Sequence, residues 1–227
     1  MEVNGYKIEP GADLRGADLT GTTPNFPFKA TPRNLTNANL TGANLTDTNF
    51  TGVDLTSANL TGALLGCTNM TRAYLSEANL TGVDLNHAWL TGADLTGANL
   101  SNADLSNAEL IGANLTNAVL NGANLTSVDM IGAKLAHARL TGANLYRANL
   151  TGADLWNAKL TESNLSYVEM VGASLYLAEL IGANLNYANL TGADLSDANL
   201  TGADLSDANL TGAILTGATM PDGTIHP

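Results

Sequence analysis

Cys67 and His87 stand twenty positions apart, and a thiol beside an imidazole is the pairing from which cysteine nucleophiles are made. Two further groups could carry recognition chemistry. Arg147, Tyr167 and Tyr187 recur at intervals of twenty, with Tyr146 beside Arg147. Trp156 and Tyr176 are also twenty apart, with Leu177 adjoining, and Ile111, Ile131 and Val171 repeat on the same interval. Asp194, Asp197, Asp204 and Asp207 form an acidic series that could imitate phosphates. Whether any of these residues meet depends on the elements that hold them.

From Asn34 to Met220 almost every fifth residue is Leu, and the residue two before it is almost always Ala, as in Ala38-Asn39-Leu40-Thr41-Gly42. A period of five matches neither a helix at 3.6 nor a flat strand at 2.0. It suits a solenoid in which each pentapeptide forms one short side. Ala and Leu, at the first and third places of the repeat, then point inward, while the second, fourth and fifth point out. Each unit buries its apolar face only against its neighbours.

Runs such as Ala93-Asp94-Leu95-Thr96-Gly97 and Ala193-Asp194-Leu195-Ser196-Asp197 resemble the pentapeptide-repeat proteins, over nearly the whole chain. The resemblance implies an all-β fold: a right-handed, quadrilateral parallel β-helix with four pentapeptides, or twenty residues, per coil. Pro221-Asp222-Gly223 and the residues after it are similar to the endings of many cyanobacterial members. Gyrase-inhibiting members are acidic, rod-shaped DNA mimics that dimerise through a C-terminal cap. No apolar helix follows Met220 here.

The twenty-residue coil has independent support. The central residues between Leu35 and Leu215 that are not Leu are Phe50, Met70, Met130 and Met170, and all differ by multiples of twenty. The same repeats replace the inward Ala, by Thr48, Thr68, Val128 and Val168. A larger first residue crowds branched Leu, and Met or Phe fits the altered gap. Val53, Val83 and Ser163 keep Leu, so the rule holds in one direction. Thr-Gly closes alternate repeats, as at Thr41-Gly42 and Thr141-Gly142. Two of the four corners are therefore expected to be turns that favour positive φ, as a preference only, since Arg72, Asn102 and Glu162 also stand there.

One array across 227 residues, with no Gly/Pro-rich break between patterned regions, reads as a single domain covering 1–227. Residues 1–33 would hold a cap, two repeats centred on Leu14 and Leu19, and an irregular Pro/Phe loop from Thr20 to Arg33. The array would fill 34–220 and a turn 221–227. Leu19 to Leu35 is one residue out of register. At roughly 4.8 Å per coil the rod would be about 45 Å long.

The net charge of −12 argues against direct nucleic-acid binding, which rests on Lys and Arg. No membrane-spanning run and no signal-peptide pattern is present. A single cysteine and a dense set of Asn-Xaa-Thr sequons fit a cytoplasmic protein. Because outward positions vary freely, Cys67 and His87 read as a chance pair of surface residues on a convex edge without a pocket. His137 lies on the opposite side and cannot assist. No triad, phosphate loop or metal cluster occurs at usable spacing, so no enzyme activity, cofactor or metal is expected.

Outward aromatic and apolar residues look sparse in the first half and collect between about 111 and 187. The candidate interaction surface is Arg147, Trp156, Tyr167, Val171, Tyr176 and Tyr187, read as one side of the rod. The same residues could instead be stabilising ladders. The expected function is a rigid rod that presents a surface to a protein partner, acting as a monomer or an end-to-end dimer. The alternative is a DNA mimic that binds a topoisomerase such as gyrase. Ice binding by a Thr ladder is weakened by Ile111, Ile131, Val171 and Ile181.

Overall fold

A computed structural model describes residues 2–3, 6–7, 9–20 and 34–227. The array is a right-handed, four-sided parallel β-helix, each side one bridge pair wide. From Asn34 onward the second-place residues pair at intervals of twenty: Asn34 with Asp54, Asn39 with Asn59, and so on to Asn199 with Thr219. Phe50 and Met70 therefore stand on one side, one coil apart, with the Phe50 amide bonded to the Asn69 carbonyl. The central residues and the first-place Ala are almost all completely buried through the middle of the array.

The amide groups of one repeat show why the five-residue pattern closes on itself. In the repeat Ala58-Asn59-Leu60-Thr61-Gly62, Ala58 N–H turns the corner to the Leu55 carbonyl at 3.0 Å. Asn59 N–H donates to Ala38 in the coil below at 2.8 Å, and Leu60 N–H to Asn79 in the coil above at 2.8 Å. Gly62 N–H donates upward to Thr81 at 3.0 Å. The fourth amide has no backbone acceptor. Asn59 Oδ1 supplies one, taking Thr61 N–H at 3.1 Å and the Thr61 hydroxyl at 2.6 Å. Asn or Asp at the second place and Thr or Ser at the fourth thus complete the repeat's hydrogen bonding. At Arg139 the acceptor is missing, and Asn121 Oδ1 from the coil below takes Thr141 N–H instead, at 3.1 Å.

Every fifth place from Asn37 to Gly217 has φ between 52° and 74°, whether Gly or not. All four corners, not two, use the left-handed conformation. The glycine preference at two of them is not steric exclusion, because a Cβ at Gly42, Gly52 or Gly142 would meet nothing within 4 Å. Its consequence is that two diagonally opposed edges are nearly bare while the other two bear side chains.

The first two repeats pair twenty-six residues on, Asp13 with Asn39 and Asp18 with Asn44. The extra residues lie between Thr20 and Asn34, and the loop expected there falls, beyond Thr20, outside the described residues. Ahead of these repeats β1 (Glu2–Val3) pairs antiparallel with β2 (Tyr6–Lys7), and Tyr6 packs against the core. At the other end the chain reverses at Pro221-Asp222-Gly223, and Thr219 pairs antiparallel with Ile225. Leu205, Leu210, Leu215 and Met220 in that last coil are only half-buried.

Two expectations follow. The corner bond is 3.2 Å at Thr48, Val128 and Val168, and also at Val83, whose repeat keeps Leu85, against 3.0 Å at Ala58, so the stretch at these four goes with the larger first residue and not with the Met or Phe. Met170→Leu alone should cost about 1 kcal/mol, and a double-mutant cycle with Val168→Ala should recover at least half of it. Asp94 concerns pH. Burial pushes its carboxyl up, but the Thr96 hydroxyl and amide and the Ser76 hydroxyl outweigh that and hold it below the usual carboxylate range. Its contribution is present above the unfolded value of about 4 and is lost as pH falls through the lower folded value. The melting temperature of Asp94→Asn should lie below wild type at pH 6 and converge with it below pH 3.

Candidate interaction surface

The two side-chain-bearing edges are where the distinctive residues collect. One edge stacks Asp47, Cys67, His87, Asn107, Ser127, Arg147, Tyr167, Tyr187 and Asp207, each one coil above the last. The other stacks Glu77, Asn117, His137, Asn157, Leu177 and Asp197. Ten residues separate them, half a coil, so they are diagonal to one another.

On the first edge Tyr167 and Tyr187 lie face to face, 4.9 Å between centroids with 16° between planes. Tyr146 meets Tyr167 edge-on at 5.8 Å and 80°. The Arg147 guanidinium carbon lies 5.1 Å from the Tyr146 ring centre and 5.9 Å from that of Tyr167. At the top, the Asp207 carboxylate faces Tyr187, and hydrogen bonding to the phenol together with its negative charge holds the phenol above its ordinary value. The result is one continuous ladder, cation, three rings and carboxylate, exposed along its length: Tyr167 is 45% and Tyr187 48% accessible. Each of Arg147, Tyr167 and Tyr187 is held at φ between 56° and 59°, a region that non-glycine residues enter at a cost of roughly 1–2 kcal/mol.

On the diagonal edge Trp156 packs against His137, with ring centroids 4.5 Å apart and planes 59° apart. Asn157 Nδ2 lies 2.9 Å from His137 Nδ1. Tyr176 and Leu177 continue the edge one coil up, both exposed. The six expected residues therefore do not form one side. Arg147, Tyr167 and Tyr187 are together; Trp156 and Tyr176 are together half a coil away; Val171 is half-buried on a nearly bare glycine edge between them. His137 is the partner of Trp156 that the spacing did not suggest, because nineteen residues separate them across adjacent coils.

Exposed aromatic surface is also not confined to the second half. Leu64 (45%), Tyr74 (55%) and Trp89 (49%) protrude from the second place of their repeats. The signal was legible: each stands where the repeat most often uses Asn or Asp. Cys67 is exposed and free, one coil below His87, and no thiol–imidazole hydrogen bond joins them. Among the described residues no group of three or more His, Cys, Asp or Glu could hold a metal ion, and no helix is long and apolar enough to cross a membrane.

The family model for pentapeptide repeats matches in eight copies between residues 34 and 217. The chain belongs to the pentapeptide-repeat family. HetL, a pentapeptide-repeat protein involved in heterocyst differentiation regulation in the cyanobacterium Nostoc sp. strain PCC 7120, is 37% identical. The match covers 96% of this chain and 90% of HetL, with a TM-score of 0.67. Rfr23 from the cyanobacterium Cyanothece 51142 is 41% identical over 44% of this chain and 64% of its own, with a TM-score of 0.38. QnrB1, a plasmid-mediated fluoroquinolone resistance protein, shares the fold in a trypsin-treated form, at 21% identity and a TM-score of 0.50, covering 89% of this chain and 88% of that one. No curated protein matches the chain significantly.

The Tyr187–Asp207 bond is open to test. In Asp207→Asn the tyrosinate absorbance titration of the ladder should shift to lower pH, because the negative acceptor that opposes ionisation is gone. An unchanged titration would show that the hydroxyl is not bound there.

Proposed function

We propose that this pentapeptide-repeat protein is a non-enzymatic interaction protein, a single rigid domain that binds a protein partner through the edge bearing Arg147, Tyr167 and Tyr187. One observation carries the reading. Tyr146, Tyr167 and Tyr187 form a ring ladder with Arg147 that stays exposed and buries no core, Tyr167 and Tyr187 being stacked face to face. A pre-ordered, exposed aromatic and arginine surface of this kind is what protein interfaces use as anchors. HetL, the relative involved in heterocyst differentiation regulation, is consistent with such a reading. A cytoplasmic setting, and a monomer or end-to-end dimer, belong to the same proposal.

The second reading is an acidic DNA mimic that binds a topoisomerase. The net charge of −12 favours it. Against it, the carboxylates are interrupted midway by Lys134, Arg139, Arg147 and Lys159, which have no counterpart on a phosphate backbone. A gyrase supercoiling assay separates the two: inhibition at micromolar protein supports mimicry.

The leading proposal is tested by paired measurements on Tyr167→Ala/Tyr187→Ala, with Asn107→Ala on the same edge as control. Capture of the partner from source lysate should fall about thirtyfold or more, equivalent to about 2 kcal/mol, with cooperative unfolding retained. Undiminished capture with a lowered melting temperature would make the ladder purely structural.

A further inference from the structure

The diagonal edge differs from the Tyr167–Tyr187 edge in charge. Residues 34–133 carry eight acidic residues against Arg72 alone, and residues 160–227 carry eight against no Lys or Arg. Between them Lys134, Arg139, Arg147 and Lys159 face only Asp154. Three of the four cations flank one corner. The strand before it carries Lys134, the corner holds Ala136 and His137, and the strand after it carries Arg139; one coil up the same places hold Asp154, Trp156, Asn157 and Lys159.

The local carboxylates are engaged. Lys159 is ion-paired with Glu179, and Asp154 Oδ1 accepts the Trp156 N–H at 3.1 Å. Lys134 and Arg139 are exposed and make no ion pair among the described residues. Arg139 and Lys159 even stack as a like-charged pair in adjacent coils, an arrangement that costs free energy unless an anion joins it. Asn157 Nδ2 lies against His137 Nδ1 at the centre of this corner. Trp156, Tyr176 and Leu177 add exposed apolar area at the same corner, 42%, 38% and 40% accessible.

We infer that this corner binds an acidic segment of a partner protein, its carboxylates on Lys134 and Arg139 and an apolar side chain against Trp156 and Tyr176. Charge complementarity selects the occupant. The basic residues occupy two adjacent coils, about 5 Å apart along the axis, and from residue 34 on the sequence on either side of them carries carboxylates and no Lys or Arg but Arg72 and Arg147. A nucleic acid backbone running past it would be repelled on both sides, whereas a short acidic peptide fits inside. The surface is separate from the Arg147–Tyr187 edge, so either can fail without the other.

The test uses the full chain with Trp89→Phe, which leaves Trp156 as the single tryptophan. The probes are a five-residue peptide with a central Leu flanked by Glu and Asp and a ten-nucleotide single-stranded oligothymidine. Peptide addition should change Trp156 fluorescence saturably. Lys134→Glu/Arg139→Glu should weaken binding at least tenfold, and Arg147→Glu on the other edge should leave it within twofold. Circular dichroism monitors folding, and the single Arg139→Ala, expected to weaken binding about threefold or more, serves if the double reversal unfolds. No response to the peptide, binding indifferent to Lys134 and Arg139, or binding of the oligothymidine alone would overturn the inference.

Discussion

The fold rests on the register between coils. Each central amide donates to the second-place carbonyl nineteen residues on, and each second-place amide donates back to the first-place carbonyl of the coil below, so neighbouring coils cannot slip without breaking every side at once. That register is what stacks Leu on Leu and Ala on Ala, and burial of those stacks supplies the stabilisation. The same constraint forces the outward residues into columns. A side chain on this surface has its neighbours chosen for it, twenty residues away in either direction.

Because the inward places saturate the core and the Asx–Thr pairs saturate the fourth amides, the edge positions are left with little structural duty. Two edges are mostly glycine, and the other two collect side chains at positive φ. The rod thereby displays two separate linear surfaces in one rigid frame. One is an aromatic ladder running from Arg147 to Asp207; the other is a basic and aromatic corner centred on His137 and Trp156. Their diagonal placement means that a flat partner cannot cover both.

Much of this was legible in the residues. Phe50, Met70, Met130 and Met170 disclose the coil length because an unusual core residue must share a side with its like. The uniform left-handed corners were not legible, since glycine marks only half of them and Tyr167 or Leu177 at positive φ leaves no trace in the sequence. The diagonal separation of Tyr167 from Trp156 was hidden in plain arithmetic: ten residues is half a coil. Leu64, Tyr74 and Trp89 stand at second places, outside the fourth- and fifth-place columns in which the other exposed aromatics line up. The pairing of His137 with Trp156 needs side-chain direction, which spacing does not contain.

Native-state hydrogen exchange tests the central claim, that coil register and surface columns are separate layers of one repeat. Across residues 58–200, amides at the first, second, central and fifth places should exchange only through cooperative opening. Those at the fourth place, bonded to Asn or Asp side chains and not to a backbone carbonyl, should exchange orders of magnitude faster, giving a protection profile of period five. A profile without that period, or fourth-place amides as slow as the central leucines, would contradict the account.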